Sequence, residues 1–383
     1  MGRKVLIVSY YFNLRDTDRA YTVYQYFKQA GFEVKLLCGN YDHNSKKSVT
    51  YNLPEMVEVP VKPYGRNISV RRIRSYLKFA RDARKAAEKL DFDIGYIVGP
   101  PNSTGYKLLP VIKKKHALFV TDVYDLYPET IPINRAFKDV LKYCGLWYWS
   151  YLRNAAIRKA DIFIGSCQYY FTRLGLQESR KNHMIPLCKG EAMLEEVQML
   201  PVEQLNILYL GALTGNYDFE GLIRIMARIQ NRGRKVHLDI IGDGQRKEWL
   251  LAALEKEGIP FTFHGRTYDD GKKQKIMEHC HFGFNGFKKD AAIALSYKSM
   301  EYMANGLALI NSCKEDTWEL VENENIGVNY SEDTLEACCK RLYTAKEADV
   351  YAMKCAALKA YRERYCFSKY TEKMNHIFLE PAN

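Results

Sequence analysis

Between residues 206 and 312 the chain repeats one pattern four times: a short apolar run, a glycine turn, an amphipathic stretch. Asn206 to Leu210 runs into Gly211-Ala212-Leu213-Thr214-Gly215 and then Glu220 to Gln230, which has helical spacing. Val236 to Ile241 closes on Gly242-Asp243-Gly244, and Phe261 to Phe263 on His264-Gly265-Arg266. Runs this short and this uniformly apolar suit strands covered on both faces, and strands alternating with helices make a parallel sheet. The pattern leaves room for little besides a doubly wound α/β domain.

The first half begins the same way. Lys4 to Tyr11 reads as a strand, Tyr21 to Ala30 as a helix ended by Gly31, and Glu33 to Cys38 as the next strand. Ile94 to Val98, Ala117 to Val120, Ile162 to Gly165 and Met184 to Pro186 continue the series. A chain of 383 residues, 47% apolar, is long enough for two cores. The expectation is therefore two Rossmann-like domains, 1–195 and 196–364. The tail 365–383 is expected to return to the first.

Other classes recede. No apolar run reaches the roughly 18–20 residues that span a bilayer, and MGRKVLIVSYYF reads as a first strand rather than a leader. The ten cysteines form no CxxC pair, which points to reduced thiols rather than a disulfide framework. His279-Cys280-His281 is a poor metal site, because neighbours in sequence point different ways.

Charge is uneven. Residues 1–200 hold 32 Lys and Arg against 19 Asp and Glu, whereas the remainder holds 25 against 26. The basic excess lies wholly in the first half and suits an anionic partner: a membrane surface, a phosphorylated acceptor or, ranked last because no recognised module is present, nucleic acid. Arg71 to Leu90 is a basic helix whose face of Ile73, Tyr76, Leu77, Ala80 and Ala87 would pack on its sheet or lie on a membrane. Leu141 to Ala160 mixes Trp147, Tyr148, Trp149 and Tyr151 with basic residues, which suits either a headgroup layer or an aromatic core.

The stretch richest in chemistry is Leu295 to Ser312. Ser296 can cap a helix, Met300, Met303 and Ala304 give it a buried stripe, and Gly306 can adopt the left-handed backbone that stops it. Lys298 and Glu301 share a face near the helix start. Free amides and a lysine there favour a phosphate, and a glutamate one turn on could accept from sugar hydroxyls. An ordinary surface Lys–Glu pair is the plain alternative. In the first half, Asp16-Thr17-Asp18 follows the first strand and would bind a ligand or cap the next helix. Asn102 follows the strand Ile94 to Val98, at the end where open α/β sheets hold ligands. Asp125 and Glu129, in DVYDLYPE, are placed to meet a ligand hydroxyl, with Asp122 nearer the strand.

Assembled, the motifs ILYLGAL, IIGDG, FHG and SYKSMEYMANGLALINS, with KADIFIGS and DVYDLYPE, resemble the retaining glycosyltransferase family 4 of the GT-B fold. The resemblance implies two Rossmann-like domains facing a central cleft, with a nucleotide diphosphate sugar on the second and the acceptor on the first. Glu301 would hold the ribose. The Gly211-Ala212 turn and Ser296, Tyr297 and Lys298 would face the diphosphate, with Gly242 and Gly244 also on the donor side and Arg266 a further cation. Asp16, Asp18, Asn102, Asp125 and Glu129 would line the acceptor side, and Asp125 and Lys298 would be catalytic.

The sequence departs from the family at Ile293, where an acidic residue is usual, and at Leu213 and Glu220, where arginine and lysine are usual. The implied activity is transfer of a sugar, with retention and without a metal, to a lipid-linked or oligosaccharide acceptor. It would take place at the cytoplasmic face of the membrane, in a capsule or exopolysaccharide pathway. The alternatives are a nucleotide-sugar epimerase and a non-catalytic subunit supporting a partner glycosyltransferase.

Overall fold

The computed structural model describes residues 2–15, 18–43, 45–65, 69–130, 146–192, 194–289, 291 and 293–380. The chain divides into two units, residues 1–187 with 371–383, and residues 188–370.

Unit 1 runs β1 (Lys4–Ser9), α1 (Arg19–Gln29), β2 (Glu33–Gly39), β3 (Tyr41–Asp42), β4 (Lys47–Ser48), β5 (Met56–Val59), α2 (Val70–Glu88), β6 (Ile94–Gly99), α3 (Asn102–Lys114), β7 (Leu118–Val123), α4 (Trp147–Lys159), β8 (Ile162–Gly165), α5 (Gln168–Leu174) and β9 (Asn182–Met184). Its main sheet is parallel, in the order β5-β2-β1-β6-β7-β8-β9. The order reverses between β1 and β6, so a crevice opens outside their carboxyl ends. Helix α2 turns Tyr76, Phe79, Ala83 and Ala87 into the core with Leu6, Val8 and Phe119. Ile73, expected on that buried face, is instead 41% exposed. It lies on the first turn, ahead of the strip that meets the sheet.

Unit 2 runs β10 (Gln204–Leu210), α6 (Phe219–Asn231), β11 (Lys235–Ile241), α7 (Lys247–Lys256), β12 (Phe261–Gly265), α8 (Asp270–Met277), β13 (Phe282–Asn285), α9 (Tyr297–Ala304), β14 (Ala308–Asn311), α10 (Asp316–Glu324), β15 (Gly327–Asn329), α11 (Leu335–Thr344) and α12 (Glu347–Arg364). Its sheet is again parallel, in the order β12-β11-β10-β13-β14-β15, and reverses between β10 and β13. Helix α13 (Phe367–Phe378) ends in unit 1, where Phe378 packs against Phe27 with ring centroids 5.0 Å apart. Arg3 donates to the Phe378 carbonyl at 3.0 Å.

One buried ion pair ties unit 1 together. Arg19 Nε donates to Asp122 Oδ2 at 2.8 Å, with the two side chains 1% and 0% exposed. Tyr96 donates to the same oxygen, and the guanidinium also donates to the carbonyls of Ile185 and Pro186. Asp122 is thus a structural carboxylate, which its place inside β7 explains. The His279-Cys280-His281 run is structural as well. His281 bridges the Asn206 amide and the Pro201 carbonyl, and Cys280 donates to the Ile276 carbonyl. Among the described residues no helix is long and apolar enough to cross a membrane.

Candidate functional site

The crevice of unit 2 forms where the turns after β10 and β11 stack. Gly211 and Gly242 both have positive φ, +137° and +149°. A Cβ on Gly242 would stand 1.9 Å from the Gly211 carbonyl oxygen, so only glycine lets the two backbones approach this closely. Amide-to-carbonyl bonds from Gly211 to Ile241 and from Leu213 to Asp243, each 2.9 Å, lock the turns together. Ala212 accepts a hydrogen bond from the Tyr209 hydroxyl, and the Gly244 amide donates to the Asp243 carboxylate.

Helix α9 aims its start at these turns. Ser296 caps it by accepting from the Ser299 amide at 3.1 Å, and its own hydroxyl donates to Asn285 at 3.0 Å. Asn285 in turn bonds Asn311, which bonds Asn329, so an asparagine ladder crosses the ends of β13, β14 and β15. The ladder was overlooked in the sequence, although FGFN, ALIN and GVN each close an apolar run with asparagine.

Lys298 is the unusual group. Its Nζ lies 3.5 Å from the Tyr217 ring centroid and 4.0 Å from that of Tyr209, and its Cε is 3.3 Å from where a Cβ on Gly211 would be. The ammonium is buried and has no hydrogen-bond partner among the described residues. Burial holds its pKa well below the ordinary lysine value. Ring faces attract a cation but satisfy none of its three N–H donors. Such a lysine is set up to receive an anion.

Glu301, one turn on, is 8% exposed and lies between two lysines, with Oε1 3.0 Å from Lys273 Nζ and 3.2 Å from Lys189 Nζ. Lys273 also pairs with Asp270, and these carboxylates raise its pKa against the lowering by burial. Neither lysine was singled out in the sequence, since each comes from a distant segment. Leu213 is fully buried in the core, and Glu220 accepts from Arg246 at 2.7 Å with Lys288 3.8 Å away. Cations therefore do stand beside the position where lysine was expected. Arg266 is 61% exposed at its side chain, 3.6 Å from Asp243. Tyr297 opens α9 and is partly buried.

In unit 1 the expected residues separate. Asp16 lies outside the described residues. Asp18 caps α1 by accepting from the Tyr21 amide at 2.9 Å, and burial pushes its pKa up to about 7. Asn102 donates to the carbonyls of Tyr127 and Trp149, a strut between two segments. Glu129 is held by both Nη atoms of the buried Arg153, at 2.6 and 2.9 Å. Asp125 is only half-buried over its surface; it accepts from Thr130, and desolvation of its carboxyl raises its pKa. Of the four that are described, Asp125 has the carboxyl best suited to a ligand hydroxyl.

Residues 204–345, most of unit 2, match the sequence profile of the family Glycosyl transferases group 1. No curated protein matches the chain. Among solved structures, sucrose-phosphate synthase from Thermosynechococcus elongatus is similar with a TM-score of 0.70 at 13% identity, covering 98% of each chain. HepE of Anabaena, in complex with UDP and glucose, gives 0.65 at 13% identity, covering 98% of this chain and 99% of that one. WaaG, a glycosyltransferase involved in lipopolysaccharide biosynthesis, gives 0.64 at 14%, covering 98% of this chain and all of its own. At these identities the likeness is one of fold, the two-domain GT-B architecture.

Proposed function

We propose that the chain moves a sugar from a nucleotide diphosphate sugar on unit 2 to a lipid-linked or glycan acceptor on unit 1, with retention, a reading supported by the match of residues 204–345 to the family Glycosyl transferases group 1. The observation that carries this is the buried amino group of Lys298, without a hydrogen-bond partner among the described residues, against the Gly211 turn at the switch point of the sheet. The leaving group of such a donor is a nucleoside diphosphate, so negative charge grows on its terminal phosphate as the glycosidic bond breaks. Lys298 and the first amides of α9 meet that charge where it develops. The reading needs no metal, because ammonium and amide dipoles carry the neutralisation. Asp125 orients the acceptor hydroxyl, and the departing phosphate takes its proton. HepE, solved with UDP and glucose, supports a uridine nucleotide as the first donor to try.

The test is a thermal-shift and turnover screen of the purified protein against UDP-, GDP-, dTDP- and CMP-sugars. Stabilisation by one nucleotide with slow donor hydrolysis is the expected result. Silence across the panel would favour the non-catalytic subunit, with Leu213 and Glu220 as its cause. Glu301 is assigned to the ribose hydroxyls. Glu301→Gln is expected to weaken donor binding about 10–100-fold, the value of hydrogen bonds to a charged group. Calorimetry with the nucleotide checks it, and unchanged affinity removes the assignment.

Action at the cytoplasmic membrane face is part of the same reading. Helix α4 buries Trp149 and Leu152 but leaves Trp147, Tyr148 and Tyr151 60%, 47% and 45% exposed. Exposed amphipathic rings on a helix that ends in Arg158 and Lys159 suit a headgroup layer. The triple change Trp147→Ser, Tyr148→Ser and Tyr151→Ser is expected to lower co-sedimentation with anionic vesicles several-fold at constant Tm. Equal sedimentation would confine the protein to soluble acceptors.

A further inference from the structure

A second cation cluster lies in unit 1, where Arg72 meets Tyr11 just past the end of β1. Tyr64 is at its centre. The Arg72 guanidinium stands 5.8 Å from the Tyr64 ring centroid and the Lys46 ammonium 5.1 Å from the same centroid. Arg72 also lies over the rings of Tyr76 and Tyr11, at 5.3 and 6.0 Å, and donates to the Tyr11 hydroxyl at 2.6 Å. His43 Nδ1 is 2.7 Å from the Tyr64 hydroxyl and 3.3 Å from Lys46 Nζ. An ammonium has no lone pair, so Nδ1 is the acceptor in that contact and carries no proton. Burial, aided by the two cations, pushes the His43 pKa down to about 4. Two positive side chains and a neutral imidazole thus share one tyrosine, with the Asp42 carboxylate acting on Lys46 and His43 in the opposite sense.

The fold does not require these groups to converge. Arg72 comes from the first turn of α2, whereas His43 and Lys46 come from the β3–β4 hairpin, and Lys46 has a positive φ of 58°. Such a backbone is uncommon for a lysine. Among the described residues, Asp42 acts on His43 and Lys46, and Arg72 acts on Asp125. Asp42 accepts from the Ser45 hydroxyl, and the field of Arg72 reaches Asp125. The acid proposed to orient the acceptor hydroxyl therefore stands within the field of the cluster. Flat aromatic faces and fixed cations together fit a saccharide that carries a phosphoryl group, the rings against sugar C–H faces and the cations on phosphate oxygens.

We infer that Arg72 and Lys46 form a phosphoryl-binding subsite, so that the acceptor on unit 1 is a phosphorylated saccharide, free or attached to a lipid phosphate. The acceptor role rests on the function proposed above; the binding of a phosphoryl group does not.

The experiment is titration calorimetry with glucose 1-phosphate, with methyl glucoside as the neutral control, and with phosphatidylcholine vesicles carrying a polyprenyl phosphate. It compares the full chain with Arg72→Gln, Lys46→Gln, Arg72→Lys and Lys298→Met. Binding of glucose 1-phosphate but not methyl glucoside is expected. Each glutamine variant should lower that affinity about tenfold or more, and Arg72→Lys should restore part of it. Stronger binding to the loaded vesicles would identify the lipid phosphate as the source, and stronger binding of the free compound would identify the soluble one. Equal affinity for the neutral glycoside, no binding of either phosphate, or loss only in Lys298→Met would overturn the subsite. UDP titrated into the same variants reports on unit 2 separately: loss of UDP binding in the intact chain with retained phosphate binding defeats the donor assignment alone.

Discussion

Replacing Lys298 with methionine is expected to lower turnover about 10²–10³-fold, the usual consequence of losing one charge-stabilising group at a reacting oxygen, while raising the stability of unit 2. The two effects have one origin. The ammonium is buried against Tyr209 and Tyr217 without a hydrogen-bond acceptor among the described residues, and an uncompensated buried charge is unfavourable. Methionine has a similar length and packs well on aromatic rings. A gain of about 1 kcal/mol would move Tm by about 2–4 °C for a unit of this size. The pH dependence provides a further check. The folded-state pKa of Lys298 lies below its unfolded value, so between those two values the unfolded chain binds the extra proton. Stability therefore rises with pH across that window, and the rise should be absent in Lys298→Met. Parallel thermal scans of both proteins from neutral to alkaline pH measure it. Undiminished donor affinity in the variant would remove Lys298 from the site.

The second large effect belongs to unit 1. Arg19→Met should destabilise it by about 3–5 kcal/mol, because Asp122 would remain buried without its partner. One Asp122 oxygen, Oδ1, already has no hydrogen-bond partner among the described residues, so little is available to take over from the guanidinium. The paired change Arg19→Met with Asp122→Leu should recover much of the loss, since two apolar groups replace two charges. Hydrogen exchange at β1 and β7 reads unit 1 without interference from unit 2. Protection equal to wild type in Arg19→Met would mean that the ion pair contributes nothing net.

Both effects bear on what the sequence could reveal. The rhythm of short apolar runs and glycine turns was legible because buried parallel strands tolerate few polar residues, and the two sheets follow it closely. Ser296 as a cap and Gly306 as a stop were legible because each rests on local backbone chemistry. Arg19, Lys189 and Lys273 were not, because their partners are 103, 112 and 28 residues away in sequence. The same holds for the aromatic enclosure of Lys298. Tyr209 and Tyr217 look like ordinary strand and loop tyrosines until the switch point brings them over the helix start. Asp125 and Glu129 looked equivalent in sequence. They differ only because Arg153, on a later helix, claims one of them.

The closing helix of unit 1 has a consequence for biosynthesis. Residues 371–383 belong to unit 1, yet they follow the whole of unit 2 in the chain. As the polypeptide leaves the ribosome, unit 2 has its full complement of strands before Phe378 can reach Phe27. The surface of α1 that Phe378 covers stays open through that interval, during which the nascent unit 1 exposes Phe27 and Tyr26. Domains generally fold in the order they are made, and open apolar surface invites association with other chains. Here unit 1 is completed only after all of unit 2 has been made, so its aromatic surface on α1 is covered last.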